Sequence, residues 1–170
     1  MKIGTQFECI LHTIGFIILR IEFLMRQLID IEEPQVPIGI VAKKFNISVH
    51  TLRLYETEGL ILPFKTKTKR RYYSQADMER IACIRQMITE KGLNIAGIKS
   101  LLAMVPCWEL LPCSEAERIG CEAYSNMSEP CWTIKVKSDF CKSEACRTCH
   151  VYKSLAGCHN IKEYLKANWK

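Results

Sequence analysis

Eight of the ten cysteines fall between Cys107 and Cys158, in the spacing C-x5-C-x7-C-x9-C-x9-C-x4-C-x2-C-x8-C. They are Cys107, Cys113, Cys121, Cys131, Cys141, Cys146, Cys149 and Cys158, whereas Cys9 and Cys83 stand alone. In a reducing compartment, thiols this dense point to a metal rather than to disulfides. Thiolates bind Zn²⁺ or iron–sulfur clusters, and either would help fold a segment with little continuous apolar core. Cys141-x4-Cys146-x2-Cys149 matches part of a plant-type [2Fe–2S] loop, with Cys158 or an upstream cysteine as fourth ligand. An iron–sulfur site, zinc, and redox or partner-binding thiols all stay open on these residues. Cys146-Arg147-Thr148-Cys149-His150 also fits the c-type haem attachment pattern. Haem is disfavoured, because that attachment requires export, which the segment upstream argues against. His150 and His159 could replace a thiolate, although exposed bystander histidines are the simpler reading. Trp108 and Trp132, each in a Pro-Cys-Trp unit, read as core anchors.

A second chemistry lies upstream. Five of the seven residues from Lys65 to Arg71 are basic: Lys65, Lys67, Lys69, Arg70 and Arg71. The formal charge of the whole chain is +6, and residues 34–105 carry twelve basic and five acidic residues, net +7. Residues 1–33 are net −2 (three basic, five acidic) and residues 106–170 net +1 (nine and eight), so the middle block supplies the excess. A concentrated basic block suits a polyanion, and the plainer reading is a solvated basic face.

The elements that position these groups can be read locally. Ile38, Val41, Ala42 and Phe45 make a short amphipathic helix over 37–44. Asn46-Ile47 is a tight connection, and Ser48 can cap the next helix. On that helix Val49 and Leu52 face inward, with Tyr55 near the edge, while His50, Thr51, Arg53 and Leu54 face elsewhere. Gly59 suits the left-handed residue after a helix end. Two helices joined this tightly form a helix-turn-helix, the second of a width to enter a major groove. The run Leu60-Ile61-Leu62-Pro63-Phe64, the basic stretch and Tyr72-Tyr73 read as a β-hairpin wing. Such a wing would contact phosphates, with Arg71 able to enter a minor groove. Ser74 and Asp77 form a capping-box pattern for a third helix with stripe Met78, Ile81, Ile84 and Ile88, ended by Gly92. Asn94 caps a fourth, in which Ile95, Ile98, Leu101, Leu102 and Val105 pack inward.

Ile38-Gly39-Ile40-Val41-Ala42, Ser48 through Glu56, Glu58-Gly59-Leu60, Arg70-Arg71-Tyr72-Tyr73-Ser74 and Ala76-Asp77 resemble the MerR family of winged-helix regulators. The resemblance implies that Arg53 and Tyr55 bind the DNA backbone and that Arg71 and Tyr72 anchor the wing. His50 and Leu54 stand where the family has Arg and Tyr, which leaves base preference there open. It also implies RNA polymerase as a partner and a homodimer on promoter DNA, with activation by twisting an over-long spacer. The family's long dimerisation helix is not continued: soon after Leu102 come Pro106-Cys107-Trp108. Dimerisation would then use the leader, the cysteine-rich segment or DNA. That segment is similar to a module called the two-CW domain, found alone or on bacterial signalling proteins. Cys107-Trp108-Glu109, Cys113, Cys121, Cys131-Trp132, Cys141, Cys146, Cys149 and Tyr152 fall in its order.

Length, 170 residues, allows one or two domains, and 48% hydrophobic with 25% charged residues excludes a wholly disordered chain. No apolar run is long enough for a confident membrane span. No Gly-rich phosphate loop, H-E-x-x-H or nucleophile elbow marks an enzyme. In residues 1–33, Leu11, Ile14, Ile18, Ile21, Met25 and Leu28 form a heptad seam. It reads as a packing or dimerisation helix, as a membrane-associated or export segment, or as untranslated sequence before a start at Met25.

The expectation is therefore a mainly α protein in three segments. They are an apolar leader (1–33), a winged helix-turn-helix DNA-binding domain (34–105), and a small cysteine-rich domain stabilised by a metal or cluster (106–170). The expected function is a cytoplasmic transcription regulator without enzymatic activity. Ser48, His50, Thr51, Arg53, Tyr55, Lys65, Lys67, Lys69, Arg70, Arg71 and Tyr72 would contact double-stranded promoter DNA. The eight clustered cysteines would hold zinc or an iron–sulfur centre that senses metal or redox state. The alternatives are a redox or metal-handling signalling protein whose winged helix docks partners, and a DNA binder stapled by purely structural zinc.

Overall fold

The computed structural model describes residues 33–143, 145–155, 157 and 166. The leader heptad seam, Cys158 and His159 lie outside them. Chain contacts divide after Glu33, and the part from Pro34 onward forms one compact unit.

Helix α1 spans Ile38–Lys44 and α2 Val49–Thr57, and the turn between them places Asn46 at φ 50°. Asparagine tolerates this left-handed conformation better than most residues. Ser48 caps α2: its hydroxyl accepts the Thr51 backbone N–H at 2.9 Å. After α2 the chain turns at Gly59, φ 71°, where a Cβ would also overlap the Thr133 side-chain methyl. Only glycine meets both demands.

The wing pairs strand β2, Phe64–Lys65, with β3, Arg71–Tyr73, in antiparallel register Phe64↔Tyr72 and Lys65↔Arg71. A third strand, β1 at Val36–Pro37, lies on the other side of β3, giving the order β1-β3-β2. The apolar pattern predicts a helix from Pro37. Instead Pro37 ends this strand and stands as the N-cap of α1. A two-residue strand is too short to show the alternation that reveals strands in sequence.

Helix α3, Gln75–Thr89, opens with the expected Ser74/Asp77 capping box. Helix α4, Ile95–Ala103, opens on Asn94, whose side chain accepts the Gly97 N–H. Leu101, expected to face inward, is instead exposed, whereas Ile98 and Leu102 are buried. Five short helices complete the described chain: α5 Cys107–Leu110, α6 Glu115–Ile119, α7 Glu122–Ser125, α8 Asp139–Ser143 and α9 His150–Ser154.

One hydrophobic core runs through both halves. Val41, Leu52, Tyr55, Leu60, Ile61, Ile81 and Ile98 from the first share it with Trp132, Val151, Tyr152 and Leu155 from the second. The cysteine-rich segment is thus packed on the winged helix and completes its core. No helix among the described residues is long and apolar enough to cross a membrane.

Candidate nucleic-acid interface and thiol pocket

Helix α2 presents His50, Arg53, Leu54 and Thr57 to solvent, with Ser48 exposed at its start and Thr51 half-buried. Leu52 and Tyr55 point the other way, into the core. Tyr55 is 3% exposed, deeper than the edge position expected, and its hydroxyl meets Arg85. Burial pushes that phenol above its usual range, and Arg85 partly offsets the effect.

The wing places Lys65, Lys67, Lys69 and Arg70 outward. Its tip is closed by Thr66: its backbone N–H donates to the Arg70 carbonyl at 3.0 Å, and its hydroxyl accepts the Arg70 N–H at 3.1 Å. Lys69 takes the left-handed conformation there, φ 59°. Tyr72 is half-buried, paired across the sheet with Pro37 and Phe64.

Glu56 ties wing to helix. Arg71 donates to its carboxylate through Nε and, at 3.2 Å, through Nη2, and Lys65 Nζ lies 2.5 Å away. Burial opposes ionisation of Glu56, but the hydrogen bonds from Arg71 and Lys65 outweigh it and hold the carboxyl below its ordinary range. As a result Arg53, Glu56, Thr57, Lys65 and Arg71 line one groove with Leu62 and Pro63. Arg71, which the sequence allows to reach into a minor groove, is here engaged in holding the wing against α2.

The thiols converge elsewhere. Cys107, Cys113, Cys121, Cys131, Cys141, Cys146 and Cys149 all line one pocket, together with Leu111 and Tyr152. It encloses about 40 Å³, more than the roughly 10–15 Å³ a single water requires. Trp108 and Trp132 contribute to its wall, the former edge-on to Tyr124 at 4.8 Å between ring centres. Two cations attend it: Lys137 Nζ donates to Cys146 Sγ at 3.2 Å, and Arg118 also lines the pocket.

Cys107 and Cys131 share a hydrogen bond that lowers the Cys107 thiol to about 7. The same contact, together with burial, pushes Cys131 up. The contact thus favours ionisation of Cys107 over Cys131. Burial raises Cys141, a hydrogen bond with Ser138 partly offsets this, and the neighbouring Cys107, Cys121 and Cys149 sulfurs raise it further when ionised. As they stand, no three His, Cys, Asp or Glu among the described residues are grouped closely enough to hold a metal ion. His150 is exposed.

Residues 36–105 match the family model described as MerR HTH family regulatory protein. The HTH-type transcriptional regulators GlnR of Bacillus anthracis and Bacillus cereus are each 39% identical over 71 residues, 42% of this chain and 54% of theirs. A Streptomyces coelicolor protein named HspR is 32% identical over 73 residues, 43% of this chain and 48% of its own. Residues 36–105 are a MerR-type helix-turn-helix domain. The chain spans about half the length of the curated relatives it matches.

The match stops at Val105, so the thiol pocket is built from residues C-terminal to the MerR-type domain. Five contacts joining the two have no counterpart in the sequence pattern. The Trp132 indole N–H donates to the Gly59 carbonyl at 2.7 Å, and the Leu62 N–H donates to the Tyr152 hydroxyl at 2.8 Å. Arg147 donates to Asp77 at 2.8 Å. Lys99 bridges Glu58 at 3.2 Å and Glu129 at 2.6 Å. The MerR-type domain also sends Arg80 into the second half, where it donates to the Tyr152 carbonyl. Its guanidinium lies 3.9 Å from the centre of the Tyr152 ring. Partners so distant along the chain leave no local pattern, and only the residue types, Trp and Tyr beside cysteines, give a signal.

Proposed function

We propose that this chain is a transcription regulator without enzymatic activity, acting in the cytoplasm on double-stranded promoter DNA. One observation carries the reading: Arg53 of α2 and Lys65 and Arg71 of the wing line the same groove. The helix offers His50, Arg53 and Leu54 to a major groove, with the Leu54 side chain suited to a thymine methyl. Lys65, Lys67, Lys69 and Arg70 of the wing meet phosphates, and Ser48, Thr51 and Tyr72 support the two elements at their bases. Tyr55 contributes by fixing α2 on the core. In this reading RNA polymerase and a second copy of the chain join the complex on DNA.

The thiol pocket is the regulatory centre in this proposal, its cysteines taking a metal ion or an iron–sulfur cluster and reporting metal supply or redox state. Its support is the donor set: seven thiols of soft ligand character lining one pocket, with Lys137 and Arg118 to offset thiolate charge. Binding would draw them closer than they stand. A redox reading is favoured by a different observation, the contact between the Cys107 and Cys131 sulfurs, which lowers the first thiol and raises the second.

DNA affinity measured across salt tests the interface. Neutralising about four to five phosphates should make affinity fall roughly 100- to 500-fold between about 50 and 200 mM salt. Arg53→Ala should weaken binding about tenfold and reduce the salt slope by roughly one. Affinity nearly independent of salt would contradict the proposal. Anaerobic purification with a visible spectrum and iron, sulfide and zinc analysis tests the pocket. Stoichiometric zinc in a colourless protein ends the cluster reading, and a protein free of all three leaves only the thiol pair.

A further inference from the structure

The segment joining α2 to the wing, residues 59–62, is held by two side chains from outside the MerR-type domain. Gly59, Leu60 and Ile61 are buried there. The Gly59 carbonyl accepts the Trp132 indole N–H, and the Leu62 N–H is taken by the Tyr152 hydroxyl. These two rings are themselves one unit. They stand edge to face, 5.2 Å apart at 88°, and the Arg80 guanidinium lies against both.

Both rings also form part of the wall of the thiol pocket. Trp132 directly follows Cys131, and Tyr152 sits one turn into α9, whose N-cap is Cys149. A backbone shift that carries the Cys131 or Cys149 sulfur toward a bound ion is therefore passed to the adjoining turn or helix that bears the ring. A packed aromatic pair transmits such a shift, since interiors this dense are not freely deformable. Its far end is the only stretch of chain between the helix and the wing of the DNA face.

We propose that the Trp132–Tyr152 pair is the relay by which a soft metal ion in the thiol pocket sets the position of residues 59–62, and with it the spacing of α2 and the wing. The inference rests on the reading of the pocket as a ligand site. It assigns Trp132 and Tyr152 as positioning residues: they touch neither DNA nor the ion, and they act through the backbone of Gly59 and Leu62.

The test uses the full chain, reduced, with Cd²⁺ alone as the probe, its uptake read by thiolate-to-cadmium absorption in the ultraviolet. Amide hydrogen exchange at Leu62 is followed with and without the ion. Uptake should change the Leu62 rate about tenfold, the scale of an ordinary coupling between sites, and in Tyr152→Phe by less than about twofold. Trp132→Phe keeps a ring in place and loses the donor to Gly59, so it should blunt the same response and serves if Tyr152→Phe fails to fold. Cd²⁺ bound with Leu62 exchange unchanged would overturn the relay and leave the ligand site standing. A chain that takes up no Cd²⁺ would overturn both. Equal responses in the parent chain and both variants would show that coupling bypasses the rings, and would also overturn the proposal.

Discussion

Trp132→Ala is expected to lower the stability of the unit by about 3–5 kcal/mol, the range for removing a large buried aromatic side chain. For a chain of this size that is roughly a 10 °C fall in melting temperature. The indole is 8% exposed. It donates to Gly59, stands against Tyr152 and belongs to the core common to both halves. Its loss opens a cavity at the junction and leaves the Gly59 carbonyl without its donor. Trp132→Phe should recover much of the packing but not the hydrogen bond. Thermal unfolding followed by circular dichroism measures both. A Trp132→Ala loss below about 1 kcal/mol, the level of an ordinary surface change, would contradict the continuous core.

Asp77→Ala is expected to cost about 3 kcal/mol, because one carboxylate serves two structures. It closes the capping box of α3, accepting the Ser74 N–H at 2.8 Å and the Ser74 hydroxyl at 3.0 Å. The same oxygen accepts Arg147 at 2.8 Å, from the loop between Cys146 and Cys149. The Asp77 side chain is only 5% exposed, so its removal leaves the guanidinium facing a poorly solvated space. Arg147→Met should cost less, since the cap survives. The double variant should show a coupling of about 1–3 kcal/mol between the two positions. Chemical denaturation of the four chains supplies the cycle, and strictly additive losses would mean that Arg147 and Asp77 do not act as a pair.

These two residues mark the limit of what local sequence discloses. Asp77 is legible as a cap because its partner lies three residues away and capping boxes repeat a fixed spacing. The same holds for Ser48 and Asn94, and for Gly59, whose place after α2 calls for a left-handed residue. The Arg147 contact to the same carboxylate spans 70 residues and has no spacing rule. Likewise the basic run from Lys65 to Arg71 is plain in the sequence. That Glu56 would take up Arg71 and Lys65 follows only once the hairpin folds back on α2. Tyr55 is marginal on the wheel of a lone helix. It becomes core because it packs into the cluster shared with α3, where Arg85 meets its hydroxyl, an effect of tertiary packing that local periodicity does not carry. Helices α5, α6, α7, α8 and α9 run four or five residues each. That is little more than a single turn, too short to display a repeating apolar stripe. The spacing of the cysteines does suggest convergence, and seven of them meet in one pocket. Which of them would share an ion depends on side-chain approach, which spacing does not specify.

Hydroxyl-radical footprinting tests the central claim most directly, using a duplex that the full chain has selected from a random pool. The arrangement of α2 and wing predicts protected backbone on both sides of one major-groove segment, with further protection where the wing meets the adjoining phosphates. Protection beside the major groove should weaken in Arg53→Ala, and protection beneath the wing should weaken in a Lys67→Ala, Lys69→Ala chain. Uniform cleavage of the duplex at saturating protein and low salt would contradict the account.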